Sequence, residues 1–123
     1  MFQGLRTVIY PAPDLARAKA WYAELLGFAP YFDEVFYVGF NVGGFELGLV
    51  PDGKVGPAGA GVVAYWGVPD VAAAVARGAE LGGTVQDAAH EVGGGIIVAT
   101  LLDPFGNAIG LIFNPHFDLK AVR

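Results

Sequence analysis

The chain contains no cysteine, which excludes disulfides, zinc–thiolate centres and thiol nucleophiles. It carries only seven lysines and arginines against twelve aspartates and glutamates, a formal net charge of −5. A phosphate backbone is gripped through a basic patch, so nucleic acid is not an expected partner. No uninterrupted apolar run is long enough to cross a bilayer, and the opening residues have no basic stretch leading into an apolar one. The expectation is a soluble cytoplasmic protein with no membrane partner. No Ser–His–Asp spacing and no second helical carboxylate pair stands out, so nucleophilic and glycosidic chemistry have no support. What is abundant is apolar. Hydrophobic residues make up 54% of the 123 positions, and 19 glycines announce many tight turns, a composition suited to one globular domain with a real core.

The most informative pattern is an internal repeat. Residues 14–27, DLARAKAWYAELLG, return in thinned form at 70–83, DVAAAVARGAELGG, with eight identities at a shift of 56 and a proline before each copy, Pro13 and Pro69. Two copies of so long a period do not make a stacked solenoid. They suggest one small module used twice, the two halves facing each other across a groove.

Each half reads as β-α-β-β-β. A strand over 6–10 stops at Pro11 and Pro13, since proline lacks the N–H a ladder needs. Asp14 is a good N-cap, Leu15, Ala18, Tyr22 and Leu25 form one helical stripe, and Gly27 is able to close the helix in the left-handed conformation. Strands are expected over 30–32, 35–40 and 45–50, the last two joined at Gly43-Gly44. The second half repeats this with a strand over 62–68, a helix over 71–81 and strands near 84–89, 96–101 and 108–113. Asp103-Pro104-Phe105-Gly106 fits a type I turn. The expected organisation is a single domain over 1–123: module one about 5–50, a linker over 51–61, module two about 62–115 and a tail over 116–123. The fold class is α+β, two tandem βαβββ modules forming a curved mixed sheet with helices outside.

Strand alternation assigns the faces. Val8 and Tyr10 should pack on the first helix and leave Thr7 and Ile9 opposite. Phe45, Leu47 and Leu49 should face the helix and leave Glu46 and Gly48 opposite. Val62, Ala64 and Trp66 leave Val63 and Tyr65, and Ile109, Leu111 and Phe113 leave Gly110 and Ile112. The face away from the helices is then largely apolar, with room above Gly48 and Gly110 and with Glu46 as its clearest ionisable residue. Such a face is expected to be covered by the other half, a second chain or a ligand.

The stretch DL-x₃-K-x-WY-x₂-LLGF at 14–28 and the turn DPFGN at 103–107 followed by AIGLI resemble the vicinal oxygen chelate superfamily, which includes glyoxalases, extradiol dioxygenases, fosfomycin-modifying enzymes and bleomycin-resistance proteins. The resemblance runs from about residue 5 to 115 and implies a homodimer. It also implies a divalent metal held by the first and fourth strands of each half. Those positions here are Thr7, Glu46, Val63 and Gly110. Only Glu46 is a competent ligand, so neither a metal nor another cofactor is expected.

Two functional readings remain at this point. The first is a metal-independent protein of the bleomycin-resistance kind, binding a small, partly apolar molecule through Thr7, Ile9, Glu46, Gly48, Val63, Tyr65, Gly110 and Ile112. The second is a glyoxalase- or dioxygenase-like enzyme, with Glu46 as a base of raised pKa and His90 as an acid–base group on the loop before Gly93-Gly94-Gly95. His90 and Glu91 read more readily as a polar pair at a hairpin end, and Glu46 reads also as a solvated carboxylate at a hairpin edge.

Overall fold

The computed structural model describes residues 6–52 and 63–117. The chain divides into two compact units, residues 1–56 and 57–123. The first unit runs β1 (Thr7–Pro11), α1 (Leu15–Leu26), β2 (Phe32–Glu34), β3 (Tyr37–Val42) and β4 (Phe45–Val50). The second runs β5 (Ala64–Gly67), α2 (Val71–Glu80), β6 (Thr84–Glu91), β7 (Ile97–Leu102) and β8 (Ala108–Phe113). The class is α+β, and each βαβββ module builds its own mixed four-stranded sheet. The strand orders are equivalent, β1-β4-β3-β2 and β5-β8-β7-β6, with the first pair of each sheet parallel and the others antiparallel. Of the expected linker, only Pro51 and Asp52 lie among the described residues, and the tail is described only to Phe117. No helix among the described residues is long and apolar enough to cross a membrane.

The repeat is written into the helix starts. The Asp14 carboxylate accepts from the Arg17 N–H at 3.2 Å, and Asp70 accepts from Ala73 N–H at 3.0 Å. The ends differ. Gly27 takes a left-handed φ of 84° and donates its N–H to the Ala23 carbonyl, whereas α2 stops at Glu80 and the left-handed residue is Gly82, one before the repeat partner Gly83. The buried faces differ too. Tyr22 fills the middle of α1, while its repeat partner in α2 is Gly78, where a Cβ would collide with Leu101 of β7. The first helix supplies core volume. The second gives up volume so that the sheet can approach.

The cores lie between helix and sheet. In the first unit Tyr10, Tyr22, Val38, Phe40, Leu47 and Leu49 are buried, and in the second Val71, Ala99, Leu101, Ile109 and Leu111. The expected parity holds on the helix side at Tyr10, Leu47, Leu49, Ile109 and Leu111, but Val8 and Phe45, expected there too, are 36% and 48% exposed at the outer ends of β1 and β4, and Val62 lies outside the described residues. Two boundaries move. Val35 and Phe36 form the exposed tip of the β2–β3 hairpin instead of opening a strand, and Asp33 and Glu34 belong to β2 instead of a loop. Asp33 there pairs with Lys19 of α1 at 3.0 Å.

The DPFGN turn is held by one buried side chain. Asp103, 4% exposed, accepts from the Phe105 N–H at 2.9 Å, the Asn107 N–H at 2.8 Å and the Asn107 amide at 3.0 Å. Replacing Asp103 with alanine would orphan these donors in a buried turn. The expected loss is about 1–3 kcal/mol of unfolding free energy in urea denaturation, whereas Asp52→Ala on the exposed surface should stay within about 0.5 kcal/mol of wild type.

Candidate functional site: a carboxylate held by two phenols

Glu46 sits on β4 between two in-register neighbours, Thr7 on the parallel strand β1 and Asn41 on the antiparallel strand β3. Paired residues share a face, so these three line up on the side of the sheet away from α1. On the next rung, Gly48 lies between Ile9 and Gly39. The expected face thus exists at Thr7, Ile9, Glu46 and Gly48. It is more polar than the strand-by-strand reading implied, because β3 adds Tyr37 and Asn41 to it.

The rung of two glycines is a floor. Tyr37, two residues before Gly39, lays its ring over Gly48, where a Cβ would collide with the Tyr37 hydroxyl. A Cβ on Gly39 would stand 3.0 Å from Glu46 Oε1 and 3.3 Å from the Tyr37 ring. The room expected above Gly48 is therefore filled by the module's own tyrosine. Gly110 behaves alike: its added Cβ would meet the Tyr65 ring at 2.7 Å. A ligand on these faces would touch tyrosine, not glycine backbone.

The two bare positions let phenols reach the carboxylate. The Tyr37 hydroxyl donates to Glu46 Oε2. The Tyr31 hydroxyl donates to Glu46 Oε1 from the segment leading into β2, where the Tyr31 N–H is fixed on the Gly39 carbonyl at 3.0 Å. Neither tyrosine was singled out by the sequence as a partner of Glu46. The available signal was a glycine pair across β3 and β4 with a tyrosine one rung away, a spacing that only a large side chain lying flat would fill.

The clamp reverses the expected electrostatics. Hydrogen bonds from Tyr31 and then Tyr37 hold the Glu46 carboxyl below its ordinary range, against a smaller opposing effect of burial. The expectation of a raised pKa is thus corrected: Glu46 is half-buried, so desolvation is weak and donors win. The phenols move the other way. Tyr37 is pushed up to about 12 by burial, by its hydrogen bond to Glu46 and by the charges of Glu46 and Tyr31. Tyr31 is raised by its bond to Glu46, by burial and by the carboxylate charge. The depressed carboxyl contributes stability above its unfolded pKa that is lost as pH falls through the folded value. The raised phenols contribute stability below the ordinary phenol pKa that is lost as pH rises toward about 12. The clamp is intact between these limits.

Around the carboxylate lies an open pocket of about 250 Å³. Tyr31 and Phe45 give it aromatic walls, Asn41 and Thr7 polar ones, and Arg6 and Gly44 complete the lining. All seven residues belong to the first unit. Among the described residues no ion pair reaches Glu46, and its side-chain partners there are the two phenols.

On the second sheet, Tyr65 pairs with Gly110 and Gly67 with Ile112, and Val63 precedes β5. Because Ile9 pairs with Gly48 and its repeat partner Tyr65 pairs with Gly110, the register equivalent of Gly110 is Gly48, not Glu46. The equivalent of Glu46 is Ala108. The first unit has a carboxylate and the second a methyl group at the same place.

His90 belongs to the second unit. It stands on β6, paired with Val98, because the strand runs through two register irregularities and continues to Glu91. The expected loop placement is corrected accordingly. Its Nδ1 is 2.8 Å from the Ala88 carbonyl, the distance of a bond the ring donates, and 3.7 Å from Asp87. His116, exposed, has its Nε2 2.7 Å from the Gly94 carbonyl. Among the described residues no group of three or more His, Asp or Glu converges as a metal site would require.

A family model described as the Glyoxalase/Bleomycin resistance protein/Dioxygenase superfamily matches residues 4–111. No curated protein matches the chain. Among solved structures the chain is similar to a glyoxalase-related enzyme from Fulvimarina pelagi, at 21% identity over 98% of this chain and 94% of that one, TM-score 0.79. It is also similar to a lactoylglutathione lyase from Agrobacterium tumefaciens, at 20% identity over 96% of this chain and 100% of that one, TM-score 0.76. TioX from Micromonospora sp. ML1 follows at 17% identity over 89% of this chain and 98% of that one, TM-score 0.67. At these identities the likeness is one of fold.

The clamp has a direct optical test. In an alkaline ultraviolet titration one tyrosine should ionise near pH 12, and Tyr37→Phe should remove that step. Gly48→Ala, which drives the ring off its floor, should remove it as well and bring the Glu46 carboxyl, followed by NMR, back up toward an ordinary glutamate. A Glu46 pKa unchanged by Tyr31→Phe and by Gly48→Ala would mean the phenols do not hold it.

Proposed function

Since the chain belongs to the Glyoxalase/Bleomycin resistance protein/Dioxygenase superfamily, a shared fold that does not fix the chemistry, we propose that it binds a small, partly apolar molecule beside Glu46 without the metal usual in the family. The observation that carries this reading is the occupancy of the Glu46 carboxylate. Each oxygen already accepts a hydrogen bond from a phenol, at the position where the resemblance puts a metal ligand.

The other positions support it. Thr7 offers a neutral hydroxyl, Val63 a hydrocarbon, Gly110 no side chain, and the register equivalent Ala108 a methyl group. A divalent cation needs several convergent nitrogen or oxygen donors, and this set does not fit one. The ligand contacts in this reading are Thr7 and Glu46 in the pocket, Ile9 beside it, and Tyr37 in place of the floor it covers at Gly48. Val63, Tyr65, Gly110 and Ile112 stand on the corresponding face of the second sheet, with Tyr65 as the exposed contact.

The enzymatic alternative loses its base. A carboxyl held below its ordinary range is a poor proton acceptor near neutrality. His90, its supposed partner, has its Nδ1 committed to the Ala88 carbonyl of its own strand. The homodimer implied by the resemblance remains part of the proposal, supported by apolar side chains left open on the first unit, among them Ile9, Phe36 and Phe45.

Metal analysis of freshly purified protein tests this reading. The expected result is less than stoichiometric zinc, nickel, iron or manganese, and no change in melting temperature on adding a chelator. One tightly held metal ion per chain, with a fall in melting temperature on chelation, overturns it. Sedimentation should give twice the chain mass.

A further inference from the structure

The charge on Glu46 has donors but no counter-ion, and that selects a ligand. Both groups that lower its pKa are neutral phenols, and among the described residues no ammonium or guanidinium forms an ion pair with it. A phenol disperses a carboxylate charge without cancelling it. A carboxylate has about four acceptor positions, of which the phenols use two. The remaining ones border the pocket that Glu46 lines. The pocket therefore presents a fixed anion that stays ionised at neutral pH and still has room for donors.

Size and walls narrow the choice. An apolar cavity of about 150 Å³ is enough for one benzene ring. A pocket of about 250 Å³ takes a ring and a short arm. Phe45, 48% exposed, and Tyr31, 65% exposed, leave aromatic faces open beside the carboxylate, which suits a cation and an apolar body at once. Thr7 and Asn41 stand in register on either side of Glu46, with a hydroxyl and an amide oxygen as further acceptors for N–H groups. Asn41 also accepts from the Gly44 N–H at 2.9 Å, which fixes its oxygen. Arg6 is the one cation in the lining; it has interactions of its own, and none is an ion pair with Glu46.

Resting on the reading of a metal-free binding pocket, we infer that this pocket takes a protonated primary amine carried on an aromatic or apolar body, the ammonium donating to Glu46 and the body lying against Phe45 and Tyr31. Neutral or anionic molecules of the same shape are the ones it discriminates against. A charge-assisted hydrogen bond is worth roughly twice a neutral one, so the preference should be about tenfold in affinity or more.

Calorimetric titration of this chain at neutral pH and low salt decides it with three probes that share a phenethyl body: phenethylamine, 2-phenylethanol and 3-phenylpropionate. Phenethylamine should bind about tenfold more tightly than the alcohol, and the propionate more weakly than either. The preference should shrink as salt is raised. Glu46→Gln should erase the preference for the amine while retaining the alcohol, whereas Tyr31→Phe, which keeps the charge, should retain the preference. The wild-type ratio stands even if a variant does not fold. Equal binding of amine and alcohol, a preference for the propionate, survival of the preference in Glu46→Gln, or binding of no probe at millimolar concentration each overturns the inference. Equal binding leaves the metal-free pocket standing. A stoichiometric metal ion removes the reading beneath it, so the two failures are distinguishable.

Discussion

Two phenolic hydroxyls on one carboxylate organise the functional face of the first unit. The interaction explains why Gly39 and Gly48 face each other across β3 and β4. A side chain at either would displace Tyr37 or Glu46. It also explains how a carboxylate remains ionised without a cation: oriented donors replace the water that burial removes. The site's chemistry follows. Glu46 becomes a fixed negative charge and hydrogen-bond acceptor, less basic than a free glutamate, with one acceptor position on each oxygen taken by a phenol.

The duplicated architecture carries two different solutions. Both modules cap their helix with aspartate and order their strands alike. Packing then diverges at equivalent positions. Tyr22 in α1 corresponds to Gly78 in α2, so the first core is filled from the helix and the second from Leu101 of the sheet. On the opposite face Glu46 corresponds to Ala108. Both modules retain a glycine under a tyrosine, Gly48 under Tyr37 and Gly110 under Tyr65, but only the first places a carboxylate within the tyrosine's reach. Repetition of the backbone has been kept while the clamped carboxylate belongs to the first unit.

Much of this was legible in the sequence, for identifiable reasons. The helices announced themselves through Asp14, Asp70 and a stripe at steps of three and four. Alternation found the inward residues in the middle of β4 and β8, which put Glu46 on the side away from the helix, but it missed at Val8 and Phe45, where the strand ends run beyond the cover of the helix and stay exposed. The hairpin tip was harder to read. Val35-Phe36 turns the chain without glycine, asparagine or aspartate, so hydrophobicity suggested a strand where the backbone reverses. That displacement hid Tyr31, whose contact with Glu46 spans fifteen residues and depends on the hairpin register. The pKa of Glu46 was misjudged because burial was weighed without donors. His90 was placed in a loop because the irregular pairing that carries β6 to Glu91 has no local sequence signature.

An X-ray structure at atomic resolution, from crystals grown with zinc in the solution, would address the central claim most directly. The account predicts the Tyr31 and Tyr37 hydroxyls on the two oxygens of Glu46, the Tyr37 ring flat over Gly48, and no ion at the carboxylate. A metal ion bound to Glu46 with either phenol swung away would contradict it.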